Sequence, residues 1–168
     1  QVQALFRQWA QVHSYSTGDR SVEGIVESDL YLLSTDAFED AQEARRYVPS
    51  DGQVVEIQLT YPKEVIQDLK RIQRGTRVLF VNATRQMARE AITQLEQLGV
   101  NQIGFEPYGP DSPVPEGLDI AVTPDEAGFV PPGMKKVINI GHRPCTPGTM
   151  IEAAIRLGLE GLLEEKQF

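Results

Sequence analysis

Along the chain, short unbroken apolar runs alternate with longer segments whose apolar positions recur every three or four residues. That alternation predicts strands of a mostly parallel sheet covered by helices. The middle of the sequence is clearest. Val78, Leu79, Phe80 and Val81 form a continuous β-branched and aromatic run, as expected of a strand buried on both faces. Thr84 then stands at a helix N-cap position, and Met87, Ala88, Ala91, Ile92, Leu95 and Leu98 make one apolar face that Gly99 ends.

The same reading extends outward from this unit. Residues 10–15 are a candidate strand followed by a turn at Gly18 and Asp19, and residues 30–33 are a fully apolar strand. Asp36 is positioned to cap a helix that runs to about Tyr47 and ends before Pro49. Residues 54–59 form the next strand, and Tyr61, Val65, Leu69 and Ile72 then give an amphipathic helix with Pro62 near its start. Residues 102–105, 120–122 and 136–140 are further short strands, and Thr146 with Pro147 opens a final helix on Met150, Ile151, Ala154, Ile155 and Leu157, with Gly158 just beyond it. Val2, Leu5 and Phe6 have helical spacing. A doubly wound domain usually opens on a strand, so a first strand is expected upstream of Gln1.

The fold class that follows is α/β, a doubly wound, mostly parallel sheet with helices on both faces, flavodoxin- or receiver-like and lacking its first strand. One domain over residues 1–159 is expected, with little pattern in 1–28, and 160–168 reads as an acidic helical linker toward a further module. The length of 168 residues fits one domain. No internal repeat or low-complexity tract interrupts it.

Charge narrows the function classes. Twenty-four acidic against sixteen basic residues give a net charge of −8, so the overall field repels a phosphate backbone and no nucleic-acid contact by this chain is expected. No apolar run approaches the roughly 18 residues of a membrane span. The single cysteine, Cys145, cannot form an internal disulfide, and the absence of a signal-peptide pattern predicts a cytoplasmic fragment of a longer protein.

Ligands of open α/β sheets gather beyond the carboxyl ends of the strands. Here those ends carry hydroxyls, amides and cations, and the candidate pocket is Asn82, Thr84, Arg85, Tyr108, Thr123, His142, Arg143 and Thr146. Thr84 and Thr146 each precede a helix, whose free N–H groups and positive dipole end favour a carboxylate or phosphate. The plainer alternative stays open, since threonine is ordinary N-cap punctuation and an adjacent arginine is often only a solvated charge. Cys145 ahead of a helix, with His142 and Arg143 close by, also raises a thiol nucleophile, yet no third group orients the histidine and a lone cysteine is usually inert core. With two histidines and one cysteine there is no metal-ligand spacing. Neither G-x-G-x-x-G nor G-x-x-x-x-G-K-S/T occurs, so no dinucleotide or nucleoside triphosphate cofactor is called for. A phosphoacceptor receiver needs an aspartate at the end of its central strand, and here that strand ends in Val81 and Asn82.

The stretches Thr76 to Thr84, Leu95 to Val100, Phe105 to Tyr108, Leu118 to Pro124 and Val137 to Arg143 together carry a resemblance. In their order and spacing the sequence resembles the amino-terminal sensory region of a group of bacterial sigma-54-dependent transcriptional regulators, in which such a domain precedes a PAS domain and an ATPase. The resemblance covers most of the chain from residue 54 to residue 159. The propionate-catabolism regulator's sensory domain, held to bind a small organic acid between α/β lobes, is similar at a greater distance. The resemblance implies a non-enzymatic signal-input role: a small organic acid or phosphate as ligand, and PAS and ATPase domains of the same chain as partners. Pro144 and Cys145 depart from the pattern after the Gly-x-Arg turn. The alternatives are a ligand-free module that forms a homodimer through its helical faces, and a thiol-dependent enzyme using Cys145 and His142.

Overall fold

A computed structural model describes residues 2–16, 19–34 and 44–164. The chain forms two compact units: Gln1–Leu59 with Cys145–Phe168, and Thr60–Pro144. The architecture is α/β with parallel strands in two sheets. No residue composition marks the passages at 59–60 and 144–145, which is why the sequence reads as continuous there.

The second unit is built on strand β3 (Arg77–Val81), helix α3 (Arg85–Gln97) and strands β4 (Gly104–Tyr108), β5 (Ile120–Thr123) and β6 (Lys136–Asn139), with α2 (Lys63–Lys70) ahead of them. All four strands are parallel, in the order β4-β3-β5-β6. The chain therefore moves from β3 through α3 to β4 on one side, then returns to β5 on the other side of β3. This is the flavodoxin-like order, with a topological switch point between β3 and β5.

Alternation along β3 explains its central place. Val78 and Phe80 face one cluster with Leu69, Ala88, Ala91, Ile92, Leu95 and Val122, the face that α2 and α3 cover. Leu79 and Val81 face the other, with Tyr108, Leu118 and Ala121, closed by Val130 and Met134 from connecting segments. Each of these large β3 side chains is completely buried, and burial of one such group stabilises by about 1.5–3 kcal/mol. The α3 helix starts at Thr84, whose hydroxyl accepts from the Met87 N–H at 3.1 Å, and ends where Gly99 adopts φ 86°.

Strand β4 lies two residues beyond its expected place at 102–105. The Gln102 side chain donates to the Leu69 carbonyl at 2.8 Å at the end of α2, and its backbone carbonyl accepts from the Gly75 N–H at 2.8 Å in the turn before β3. Pro107 is tolerated because β4 is an edge. The N–H of Gly104 donates to Thr76 and the carbonyl of Tyr108 accepts from Asn82, so alternation turns the nitrogen of Pro107 outward, away from β3.

The first unit pairs β1 (Tyr31–Ser34) and β2 (Val54–Ile57) in parallel. Its core joins Phe6 of α1 (Val2–Phe6), Met150, Ala153 and Ala154 of α4 (Pro147–Arg156), and Leu162. The strand expected at 10–15 does not form, and among the described residues no neighbouring strand pairs with this segment. Residues 11–16 carry no regular structure, with Val12 packed on this core and the His13 and Tyr15 rings stacked. The acidic tail forms a 3-10 turn over Glu160–Glu164, with Leu162 buried. Asp36 and most of its expected helix lie outside the described residues, as do Gly18 and residues 165–168.

Candidate functional site

The strand ends of the second unit bring together most of the residues singled out from the sequence. Asn82 follows β3 directly and is 2 % exposed. Its backbone N–H donates to the Tyr108 carbonyl at 3.1 Å, which continues the β3–β4 ladder past the last strand residue. Its side-chain oxygen accepts from the Ala83 N–H at 2.8 Å and so holds the amide toward the β3–α3 loop. Thr84 and Arg85 are exposed at the head of α3.

Gly109 fixes that loop from the β4 side. A Cβ at this buried glycine would lie 2.7 Å from the Thr84 carbonyl carbon and 2.9 Å from its Cα, and would overlap the Arg85 nitrogen. Only glycine allows the two backbones this approach. The Tyr108 ring, by contrast, belongs to the core with Leu79, Val81 and Leu118.

Across the switch point, Thr123 ends β5 and is fully buried. Its hydroxyl accepts from the Glu126 N–H at 3.0 Å. Next to it a small polar network ties β5 to β6. Asp125, at φ 69°, receives Asn139 Nδ2 on one oxygen at 2.6 Å and stands 3.0 Å from His142 Nε2 through the other. Asn139 Oδ1 in turn accepts from the N–H groups of Asp125 and Gly141 at 3.0 and 2.9 Å. His142 itself remains 84 % exposed in its side chain. Arg143 reaches back to α3 and donates to Gln94 Oε1 at 3.3 Å.

Thr146 belongs to the first unit, where it caps α4 and accepts from the Thr149 N–H at 3.2 Å. Cys145 also belongs there, packed against the core and bridged to Leu59.

Sequence reasoning did not single out Asp125, Asn139 or Gly109. Thr-Pro-Asp-Glu at 123–126 carries a turn signal. Nothing in the sequence shows that Asn139 would meet Asp125, because that contact depends on the register of β5 with β6. Among the described residues no group of histidine, cysteine and carboxylate side chains could hold a metal ion, and no helix is long and apolar enough to cross a membrane. A shallow depression of about 530 Å3, lined by residues such as Gln3, Arg7 and Gln11, lies in the first unit against α1 and far in sequence from the strand ends.

Chemically, the switch point offers hydrogen-bond donors and a helix head on the β3 side, and a carboxylate held by an amide and an imidazole on the β5 side. No family model, curated protein or solved structure matches the chain.

Proposed function

We propose that this chain is the signal-input domain of a bacterial sigma-54-dependent transcriptional regulator, and that it binds a small anionic metabolite at the switch point of its second unit. Asn82, Thr84, Arg85, Thr123 and His142 would line the site, with Tyr108 supporting it from the core and Arg143 adding positive charge. Its role is binding without catalysis. The signal would pass to PAS and ATPase modules of the same polypeptide in the cytoplasm. Ligand binding can drive such a switch only where the ligand prefers one state of the assembly over another.

The observation that carries this reading is the parallel order β4-β3-β5-β6, which puts buried Asn82 and buried Thr123 on either side of a switch point. Open α/β sheets bind their ligands at such points. The regulator context rests on the sequence resemblance.

A thermal-shift screen of the 168-residue chain against small carboxylates, phosphates, amino acids and acyl thioesters tests the proposal. A ligand that binds only the folded state stabilises it by about 2.7 kcal/mol at a hundredfold excess over Kd. The expected result is a dose-dependent rise in Tm that the double substitution Arg85→Ala, Arg143→Ala abolishes. A cooperative melt with no shift across the panel would overturn it.

One observation favours a second reading, a homodimerising interaction module. On α4, Ile151 and Ile155 stand one turn apart at 40 % and 51 % exposure, whereas the outward positions of α3 are polar. Light scattering across a concentration series discriminates: a monomer at all concentrations sinks the dimer.

A further inference from the structure

We infer that the turn between α2 and β3 is an electrostatic docking surface for a second copy of this chain, whose acidic first unit it receives. The turn lies at the amino end of β3, away from the switch point, so the inference stands independently of any ligand bound there.

The net charge of −8 is unevenly spread. The first unit has fourteen acidic residues and six basic ones, while the second has ten of each. The whole excess therefore belongs to the first unit. Within the neutral unit, residues 69–89 hold six basic residues and no acidic one. Four of the six, Lys70, Arg71, Arg74 and Arg77, lie between the end of α2 and the first residue of β3, and all four are exposed.

The backbone that carries these cations is pinned on the sheet side. Gln102 Nε2 donates to the Leu69 carbonyl, the Gly75 N–H to the Gln102 carbonyl and the Gly104 N–H to the Thr76 carbonyl, each at 2.8 Å. Ile72, in the middle of the turn, packs against the core that α2 and α3 cover. A surface whose backbone is already fixed gives up little freedom when it docks.

The charges themselves are weakly engaged. Arg71 meets Asp68 at 2.8 Å and Arg77 meets Glu106 at 3.8 Å, with the arginine side chains 76 % and 61 % exposed. Ion pairs this exposed hold little energy and give way easily to a partner. Lys70 Nζ donates to the Leu98 carbonyl at 3.2 Å, and the Arg74 guanidinium has no partner among the described residues.

The extent of the patch selects a folded acidic surface over a polyanion. A nucleic acid carries one charge about every 1.7 Å, and would run on from the four cations into the carboxylates of Asp68 and Glu106 beside them. A bounded acidic patch on a protein fits inside that border. At physiological salt, charges act over about 8 Å, so the sign of the two touching surfaces outweighs the equal net charge of two copies. The chain's own first unit supplies a surface of the required sign. Such a contact is heterologous: each docked copy still offers one basic turn and one acidic unit, so assembly continues beyond two.

Sedimentation equilibrium of the 168-residue chain over a concentration series, at about 0.15 M and about 1 M sodium chloride, tests the inference, together with carbodiimide cross-linking of an equal mixture of 14N- and 15N-labelled chain. The average mass is expected to rise past that of a dimer at the lower salt and to return to the monomer at the higher. Cross-links from Lys70 to first-unit carboxylates should join light chains to heavy ones. Arg71→Glu with Arg74→Glu should weaken the association at least about tenfold. Lys63→Glu, which reverses a charge at the other end of α2, should change it by less than about twofold. The wild-type salt dependence and cross-links decide the matter even where the double variant does not fold. A monomer at every concentration in the lower salt would overturn the inference, as would Lys70 cross-links confined to single chains. An equal loss in Lys63→Glu would make net charge the cause and overturn the turn's role. Association that survives both the higher salt and the arginine substitutions would belong to the apolar face of α4, and would overturn it as well.

Discussion

Thr84 and Thr146 perform the same local task in different settings. Each caps a helix by accepting the N–H three residues on, at 3.1 Å and 3.2 Å. Around Thr146 the cap is tied to the preceding strand: its hydroxyl lies 3.0 Å from that of Thr149, which accepts from the Gln58 N–H at the end of β2, while the Thr146 N–H donates to the Gln58 carbonyl. Around Thr84 the cap is exposed, and the amide of Asn82 just before it is buried, its Nδ2 without a hydrogen-bond partner among the described residues. One cap closes a structural joint between a strand and a helix. The other heads a helix whose first residues, Thr84 and Arg85, are exposed. A capping motif identifies a helix start, and its neighbours decide whether that start is available to a ligand.

The comparison breaks most severely at Gly109. Gly109→Val forces side-chain atoms into the Thr84 and Arg85 backbone, and is expected to cost about 3 kcal/mol by chemical denaturation. Stability within about 0.5 kcal/mol of wild type would show that the two backbones do not meet as described. Next comes Thr149→Val, which keeps the shape of a buried residue while removing the acceptor for Gln58. It should cost about 2 kcal/mol, and a double-mutant cycle with Thr146→Ala should give a coupling of about 0.5 kcal/mol or more. Additivity within error would dissolve the joint. Thr84→Ala, which loses a single exposed cap, should cost about 1 kcal/mol and show no coupling to Thr149→Val.

The smallest effect concerns pH. Asp19 is held below the usual carboxylate range chiefly by hydrogen bonds from Ser21, whose N–H lies 2.9 Å from Oδ1. A depressed carboxyl pKa contributes stability above the ordinary carboxylate range and loses it as pH falls through the lowered value. Acid titration followed at the Ser21 amide should therefore report a midpoint below that of a free aspartate, and Ser21→Ala should move it upward. An unmoved midpoint would remove the hydrogen bond as the cause.

Much of the second unit is legible along the chain because its signals agree with one another. Val78 to Val81 can only be a buried strand, Thr84 is a cap, and Gly99 ends a helix whose apolar face is continuous, so β3 and α3 follow with their bounds nearly right. Residues 10–15 show the limit of this kind of reading. Their alternation is that of an extended chain with Val12 inward, but a strand needs a partner, and partner choice is not a local property. The candidate site divides the same way. Asn82, Thr123 and His142 are visible as polar residues after apolar runs. The pairing of Asp125 with Asn139 is invisible until β5 and β6 are set in register, and the burial of Tyr108 is decided by which face of β4 meets Leu118.

The outward nitrogen of Pro107 makes the second unit's sheet unequal at its two borders. Along the rim of β4 it deletes a donor that a visiting strand would need. Strand β6 carries no proline, and its Val137 and Asn139 turn their N–H groups away from β5, as the Lys136 and Ile140 bonds to β5-side carbonyls require. Chain-to-chain strand pairing, the first step of sheet-mediated aggregation, thus has one permissive side and one blocked side. A growing stack would have to be seeded through β6, where a single proline at position 137 would seal the second border as Pro107 seals the first.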